Sequence, residues 1–97
     1  MTQRAVIAEF ELDPNDLGLL VTAARLELAA ARDNEPGCLR FDVLVFDEKE
    51  GTGAVVAVFA DQAAFDLHRE YPHVKDFFDA IKDIDVNWTV HRGNALT

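Results

Sequence analysis

The sequence predicts an α+β fold in which four strands form one antiparallel sheet. Two observations support this prediction. Apolar residues alternate with a period of two in short segments, and they recur at helical spacing in the segments between them. The length adds a third, because 97 residues are enough for one domain with one core. No internal repeat or low-complexity segment interrupts the pattern, so we treat residues 1–97 as a single domain.

The first strand and the first helix are separated by a helix-start signal. Apolar and acidic residues alternate at the end of segment 5–12, which is typical of a strand with one buried face. Asp13 can cap a helix, and Pro14 suits its first position. Apolar residues at helical spacing then predict an amphipathic helix over about residues 15–32.

The middle of the chain reads as a long hairpin. Strands are predicted over 38–46 and 54–59, joined by the polar loop 47–53. Segments 43–46 and 55–59 are apolar on both faces, whereas a lone α+β domain should leave one sheet face polar. No further element of the chain could cover that second face. The sequence therefore predicts a homodimer in which two sheets face each other.

The last third of the chain adds two short helices and a strand. Asp61 caps a helix that runs to about Glu70, Pro72 opens another, and a strand follows over 85–91. The predicted order is β-α-β-β-α-(α)-β, with the helix pair in the second helical position. This order is the split βαβ plan of ferredoxin-like folds.

Composition and charge exclude several classes of partner. The chain is 49% hydrophobic and 28% charged, as expected for a soluble globular protein, and its net charge of −9 disfavours nucleic acid and anionic membrane surfaces. No apolar run is long enough for a membrane span, and no basic-then-apolar segment suggests a signal peptide. The single cysteine, Cys38, fits a reducing compartment. We therefore expect a cytoplasmic protein.

Histidine is the side chain best suited to moving a proton near neutral pH. His68 follows Phe65 by three residues and Ala64 by four, so all three share the helix face expected to meet the sheet. An imidazole on this apolar face favours its neutral form, and His68 is the predicted general base. His73, just after Pro72, is predicted to be a pocket or capping residue. Alternatively, both histidines are surface residues that complement helix termini.

Charged and aromatic residues provide candidates for the rest of a site. Arg40 and Asp42 share one strand face, as either an interface salt bridge or the polar part of a pocket. Phe41, Phe65 and Trp88 are either core residues or the apolar wall of a pocket for a flat ligand.

No metal or cofactor is expected. His68 and His73 are five residues apart, which is not the i, i+4 spacing of a helical metal pair. Cys38 and His91 are far from them in sequence, and no local base accompanies Cys38, which is expected to be structural. No glycine-rich phosphate loop or dinucleotide fingerprint is present.

Three segments resemble the antibiotic biosynthesis monooxygenase (ABM) family. They are EPGCLRFDVL at 35–44, AAFDLH at 63–68 and YPHVK at 71–75, and they occur in the family's order across nearly the whole chain. The resemblance implies a dimeric α/β barrel of ferredoxin-like subunits. It also implies oxidation of quinols or polycyclic phenols by oxygen without metal, flavin or nicotinamide. In that chemistry the substrate supplies the electrons, and the protein removes a proton in a dry pocket.

The resemblance implies a cofactor-independent monooxygenase of a small quinol or hydroxylated aromatic compound, with His68 as the base. Segment 39–44 also resembles a branch that isomerises a phosphorylated hydroxy-ketone of the autoinducer-2 type, so an isomerase stays an alternative. A third reading is a non-catalytic binding or stress-response protein.

Two departures from the family pattern limit what the resemblance implies. Many relatives carry a glutamate in the third strand where this chain has Ala57, so any role of that carboxylate is lost here. Haem-degrading relatives carry an asparagine in the first strand and a tryptophan in the third. This chain has Ile7, Ala8 and Phe59 in the corresponding strands, so haem degradation is disfavoured.

Overall fold

The computed structural model describes residues 2–96, in which helices pack on one face of a four-stranded antiparallel sheet. The strands lie in the order β2-β3-β1-β4, and all three neighbouring pairs are antiparallel. This arrangement confirms the predicted ferredoxin-like plan. The elements are β1 (Gln3–Leu12), α1 (Leu17–Asn34), β2 (Cys38–Asp47), β3 (Thr52–Phe59), α2 (Gln62–His68), α3 (Pro72–Ala80) and β4 (Val86–Ala95).

The starts of the helices follow the predicted capping residues with one difference. Asp13 caps a single 3-10 turn, Pro14–Asp16, and α1 begins only at Leu17. Short 3-10 turns are frequent at helix N-termini, which explains the shift of two residues. Asp61 caps α2, accepting a hydrogen bond of 2.8 Å from the amide of Ala64.

Strands β1 and β4 extend beyond their predicted ends. Gln3 pairs with Ala95, and Arg4 pairs with Asn94, whose side-chain oxygen accepts a 2.6 Å hydrogen bond from the Arg4 guanidinium. Glycine and asparagine are depleted in strands, so the polar end of β4 carries little strand signal of its own. Pairing with β1 holds it in the sheet.

The core on the helix-facing side of the sheet is divided into two clusters. One cluster joins the C-terminal end of β1, the first half of α1 and the C-terminal end of α3. The other cluster joins β2, β3 and α2. The largest members of the first are Phe10, Leu20, Phe77 and Ile81. The largest members of the second are Phe41, Phe59 and Phe65.

The opposite sheet face carries an exposed apolar patch beside the ion pairs Arg40–Asp42 and Glu9–His91, and no element covers it among the residues that the structure describes. Ile7, Leu44 and Phe46 point away from the helices and are 41%, 45% and 58% exposed. The prediction that β2 and β3 are apolar on both faces is therefore confirmed. No helix within residues 2–96 is long and apolar enough to cross a bilayer.

Candidate functional site

A cavity of about 340 Å³ lies between the sheet and the three helices, where the two core clusters meet. Its walls are almost entirely apolar. The exposed residues Arg69, Phe78, Val90 and Arg92 also line it, so the cavity is open on their side. Three of the predicted pocket residues are part of this wall, namely Phe41, Phe65 and Trp88.

His68 lies at the end of α2 and lines the cavity. Its side chain is 12% exposed, and its ring centroid is 4.9 Å from that of Phe59. The Nδ1 atom lies 2.9 and 3.0 Å from the two carboxylate oxygens of Glu35. A carboxylate oxygen accepts hydrogen bonds, so this contact selects the tautomer in which Nδ1 carries the proton; in a neutral ring of that tautomer Nε2 is the accepting nitrogen. The contact with Glu35 therefore orients His68 at the cavity wall.

Glu35 was not singled out from the sequence as a functional residue, although it begins the segment that resembles the family. It follows α1 directly, and its side chain is only 3% exposed. Nearby, a Cβ atom on Gly37 would lie 2.6 Å from the Cβ of Ala64, so glycine lets α2 pack against this turn. A lone acidic residue in a polar turn carries no sequence signal of burial. The burial of Glu35 results instead from the close packing of α2.

His73 also contacts Glu35, through its Nε2 atom and the carboxylate Oε2. Its ring stacks on Tyr71 with centroids 5.2 Å apart, at the first turn of α3. His73 is not among the residues that line the cavity. The structure therefore places it behind His68, where it gives the buried carboxylate a second hydrogen-bond donor.

Arg40 and Asp42 do not lie at the cavity. They form an ion pair on the sheet face that points away from the helices, and the Arg40 side chain is 71% exposed. Successive residues of a strand point to opposite faces of the sheet. Because Phe41 faces the cavity, Arg40 and Asp42 on either side of it face away from the cavity.

Glu27 is a second acidic residue that the sequence analysis did not single out. It belongs to α1, is 9% exposed and lines the cavity, and its Oε2 atom is buried without a hydrogen-bond partner among the described residues. Burial, together with the negative charge of Glu35, raises the pKa of Glu27 to about 8. Its spacing from Ala24 and Ala31 puts it on the buried helix face, and that signal was present in the sequence.

Cys38 behaves as a structural thiol. Burial first, and then the charge of Glu35, raise its pKa to about 11. The thiol lies 3.6 Å from the carbonyl oxygen of Arg40 and is the donor of that contact. A thiol that stays protonated at neutral pH is a poor nucleophile.

Glu35, His68 and His73 are also the residues that could hold a metal ion. Their donor atoms lie within 4.8 Å of one another, and two histidines with a carboxylate form a known type of metal site. Histidine spacing alone could not reveal this cluster, because Glu35 comes from another part of the chain. In the described cluster one nitrogen of each imidazole hydrogen-bonds to the carboxylate.

The fold and the site define a small ferredoxin-like domain with a ligand-sized apolar cavity and a buried carboxylate–histidine pair. The chain belongs to the antibiotic biosynthesis monooxygenase family, whose model matches residues 4–80. No curated protein matches the sequence.

Several solved structures share the fold. A candidate antibiotic biosynthesis monooxygenase from Caulobacter crescentus is 20% identical with a TM-score of 0.89, over 99% of this chain and 92% of that chain. A Pseudomonas aeruginosa protein is 21% identical with a TM-score of 0.83, over 100% and 97%. A Bacteroides thetaiotaomicron protein described as a possible oxidoreductase is 11% identical with a TM-score of 0.86, over 97% and 98%.

Proposed function

We propose that this protein is a cofactor-independent monooxygenase that oxidises a small quinol or hydroxylated aromatic compound with molecular oxygen. The observation that carries the proposal is the contact between His68 and Glu35 at the wall of an apolar cavity. Membership of the monooxygenase family gives the reaction class.

The first step is removal of a hydroxyl proton from the substrate by Nε2 of His68. Glu35 holds the ring in the tautomer that accepts at Nε2, and its negative charge stabilises the imidazolium that forms. The resulting phenolate is rich in electrons and reduces oxygen directly. One oxygen atom enters the ring and the other leaves as water. The substrate supplies all four electrons, so a phenol ends as a quinone and a quinol ends as a hydroxyquinone.

The walls of the cavity suit a flat aromatic substrate. Phe41, Phe65 and Trp88 offer ring faces and edges for packing, and the volume of about 340 Å³ is enough for one or two fused rings. Ala57 stands where many relatives carry a glutamate, and it keeps the part of the cavity wall formed by β3 apolar. Exclusion of water strengthens the electrostatic interactions of the phenolate with its surroundings.

A second candidate function is supported by two cations on the cavity. Arg69 and Arg92 line it, and neither forms an ion pair with another residue in the described part of the chain. They could hold an anionic group, as an isomerase of a phosphorylated hydroxy-ketone would require. The net charge of −9 opposes long-range attraction of such a substrate.

A homodimer formed through the open sheet face is also part of the proposal. Ile7, Leu44 and Phe46 form an exposed apolar patch on this face, and within residues 2–96 no element covers it. Pairing of two copies would bury it on both.

An oxygen electrode tests the proposed activity with a panel of quinols and catechols. We expect oxygen uptake that depends on both the protein and the substrate, with a quinone product that contains one added oxygen atom. Isomerisation of a phosphorylated hydroxy-ketone without oxygen uptake would favour the second candidate. Substrates recovered unchanged throughout the panel would indicate a binding protein.

A further inference from the structure

We propose that Glu27 is a ligand-binding residue of the cavity, whose carboxyl O–H donates a hydrogen bond to an acceptor oxygen of an aromatic ligand. This inference rests on the proposed function for the nature of the ligand. The inference also requires the ligand to carry a second oxygen atom. The first oxygen atom belongs to the hydroxyl group that gives its proton to His68.

The position of Glu27 is the first support. It lies on α1 between Ala24 and Ala31, both buried, so the helix directs it toward the sheet. It lines the same cavity as His68 but comes from a different helix. The two polar groups can therefore contact different atoms of one ligand.

The unsatisfied oxygen is the second support. Oε2 of Glu27 is buried and has no hydrogen-bond partner within residues 2–96. Leaving a buried polar atom unpaired destabilises the fold, and an apolar residue at this helix position would avoid that cost. An oxygen atom of a bound ligand supplies the missing partner.

The protonation state fixes which ligand atom is complementary. Burial keeps the carboxyl group of Glu27 protonated at neutral pH, since its pKa is about 8. A protonated carboxyl has one O–H donor, which pairs with a carbonyl or phenolic oxygen. The ligand class is thus a neutral aromatic compound with oxygen atoms at two positions.

A pair of probes separates the role of Glu27 from that of His68. The ketone 1-tetralone and the hydrocarbon tetralin share a two-ring skeleton and differ in one carbonyl oxygen. A ketone only accepts hydrogen bonds, so it cannot pair with the accepting Nε2 atom of His68. Equilibrium dialysis measures the dissociation constants of both probes without any turnover.

We expect the protein to bind 1-tetralone about five- to tenfold more tightly than tetralin, as one added hydrogen bond implies. Glu27→Gln keeps an N–H donor and should keep the preference. Glu27→Met keeps the length of the side chain and should remove the preference. Glu50→Met, in the exposed loop between β2 and β3, is the matched control and should change nothing.

Equal binding of the two probes by the unchanged protein would overturn the proposal, and so would a preference that survives Glu27→Met. Thermal unfolding of each variant shows that a lost preference does not reflect a lost fold. If no quinol supports oxygen uptake but the preference follows Glu27, the monooxygenase proposal fails and the binding role stands.

Discussion

The Nδ1 atom of His68 lies 2.9 Å from Oε1 of Glu35, although 33 residues separate them along the chain. The carboxylate is buried by α2, and α2 can approach because Gly37 has no side chain to meet Ala64. The same packing aligns the imidazole with the cavity. The turn after α1, which contains Glu35 and Gly37, therefore sets the orientation of His68.

Replacement of His68 should reduce turnover more than replacement of His73. Only His68 lines the cavity, and a general base contributes about 10²–10⁴-fold, so His68→Ala should lower kcat by that factor. His73→Ala should cost less, because His73 acts on Glu35 and not on the substrate. His91→Ala is a suitable control, since His91 is exposed and pairs with Glu9. Comparable losses in the His68 and His73 variants would contradict the assignment.

Glu35→Gln should lower kcat while leaving affinity for the neutral probe 1-tetralone unchanged. Glutamine has nearly the same shape as glutamate, but it carries no charge to stabilise an imidazolium at His68. We expect a loss of at least about tenfold, within the range of general-base effects. Steady-state kinetics and dialysis measure the two quantities separately. Unchanged kcat would mean that the carboxylate has only a structural role.

Glu27 should make the protein less stable as the pH rises. Its pKa is about 8 in the folded protein against an ordinary value of 4.5, so the folded state keeps a proton that the unfolded state has lost. The contribution to the free energy of unfolding is fully present below pH 4.5 and is lost as the pH rises to about 8. Each pKa unit corresponds to about 1.4 kcal/mol.

Urea unfolding at several pH values tests this prediction. Glu27→Gln cannot titrate, so the stability gained by the variant over the original protein should grow between pH 5 and 8 by a few kcal/mol. Glu50→Gln, which is exposed, should show no such trend. A constant difference between the Glu27 variant and the original protein would show that Glu27 is not desolvated in the folded state.

Cys38 should resist alkylation at neutral pH. Its pKa is raised to about 11 from an ordinary value of 9.0, so very little thiolate is present. The rate of reaction with iodoacetamide should keep rising above pH 9. Glu35→Gln should move this profile to lower pH, because the carboxylate charge is one cause of the shift. Rapid labelling at pH 7 would disagree with the described environment.

The open sheet face should make the protein a dimer at micromolar concentration. Sedimentation should give about twice the monomer mass, and Leu44→Asp should shift the distribution toward monomer, because a charge cannot be buried unpaired between two sheets. Leu26→Asp is the control, since Leu26 on α1 is 69% exposed and lies away from that face. If the original protein and the Leu26→Asp control are both monomers, the sheet-face dimer is excluded.

Periodicity predicted the fold because each strand and helix shows its buried face in its own residues. It missed the end of β4, where Asn94 stays in the sheet through its partner Arg4. It placed His68 on the helix face that meets the cavity, because the apolar residues of that face are visible in the sequence.

Periodicity could not reveal the pairing of His68 with Glu35, because that contact depends on tertiary packing. Glu27 could have been found, since its spacing from Ala24 and Ala31 places it on the buried face of α1. Arg40 and Asp42 share a strand face as expected, but only the packing of α1 and α2 decides which face of the sheet lines the cavity.

Because a cavity lies between the two core clusters, binding of a ligand there should raise the melting temperature of the protein. A molecule that fills the space between Phe77 and Phe65 would contact both clusters at once. A ligand present at a hundred times its dissociation constant stabilises the folded state by about 2.7 kcal/mol. In a chain of this size that corresponds to a rise in melting temperature of roughly 10–20 °C. Screening a collection of aromatic compounds by melting temperature therefore needs no assumption about the reaction.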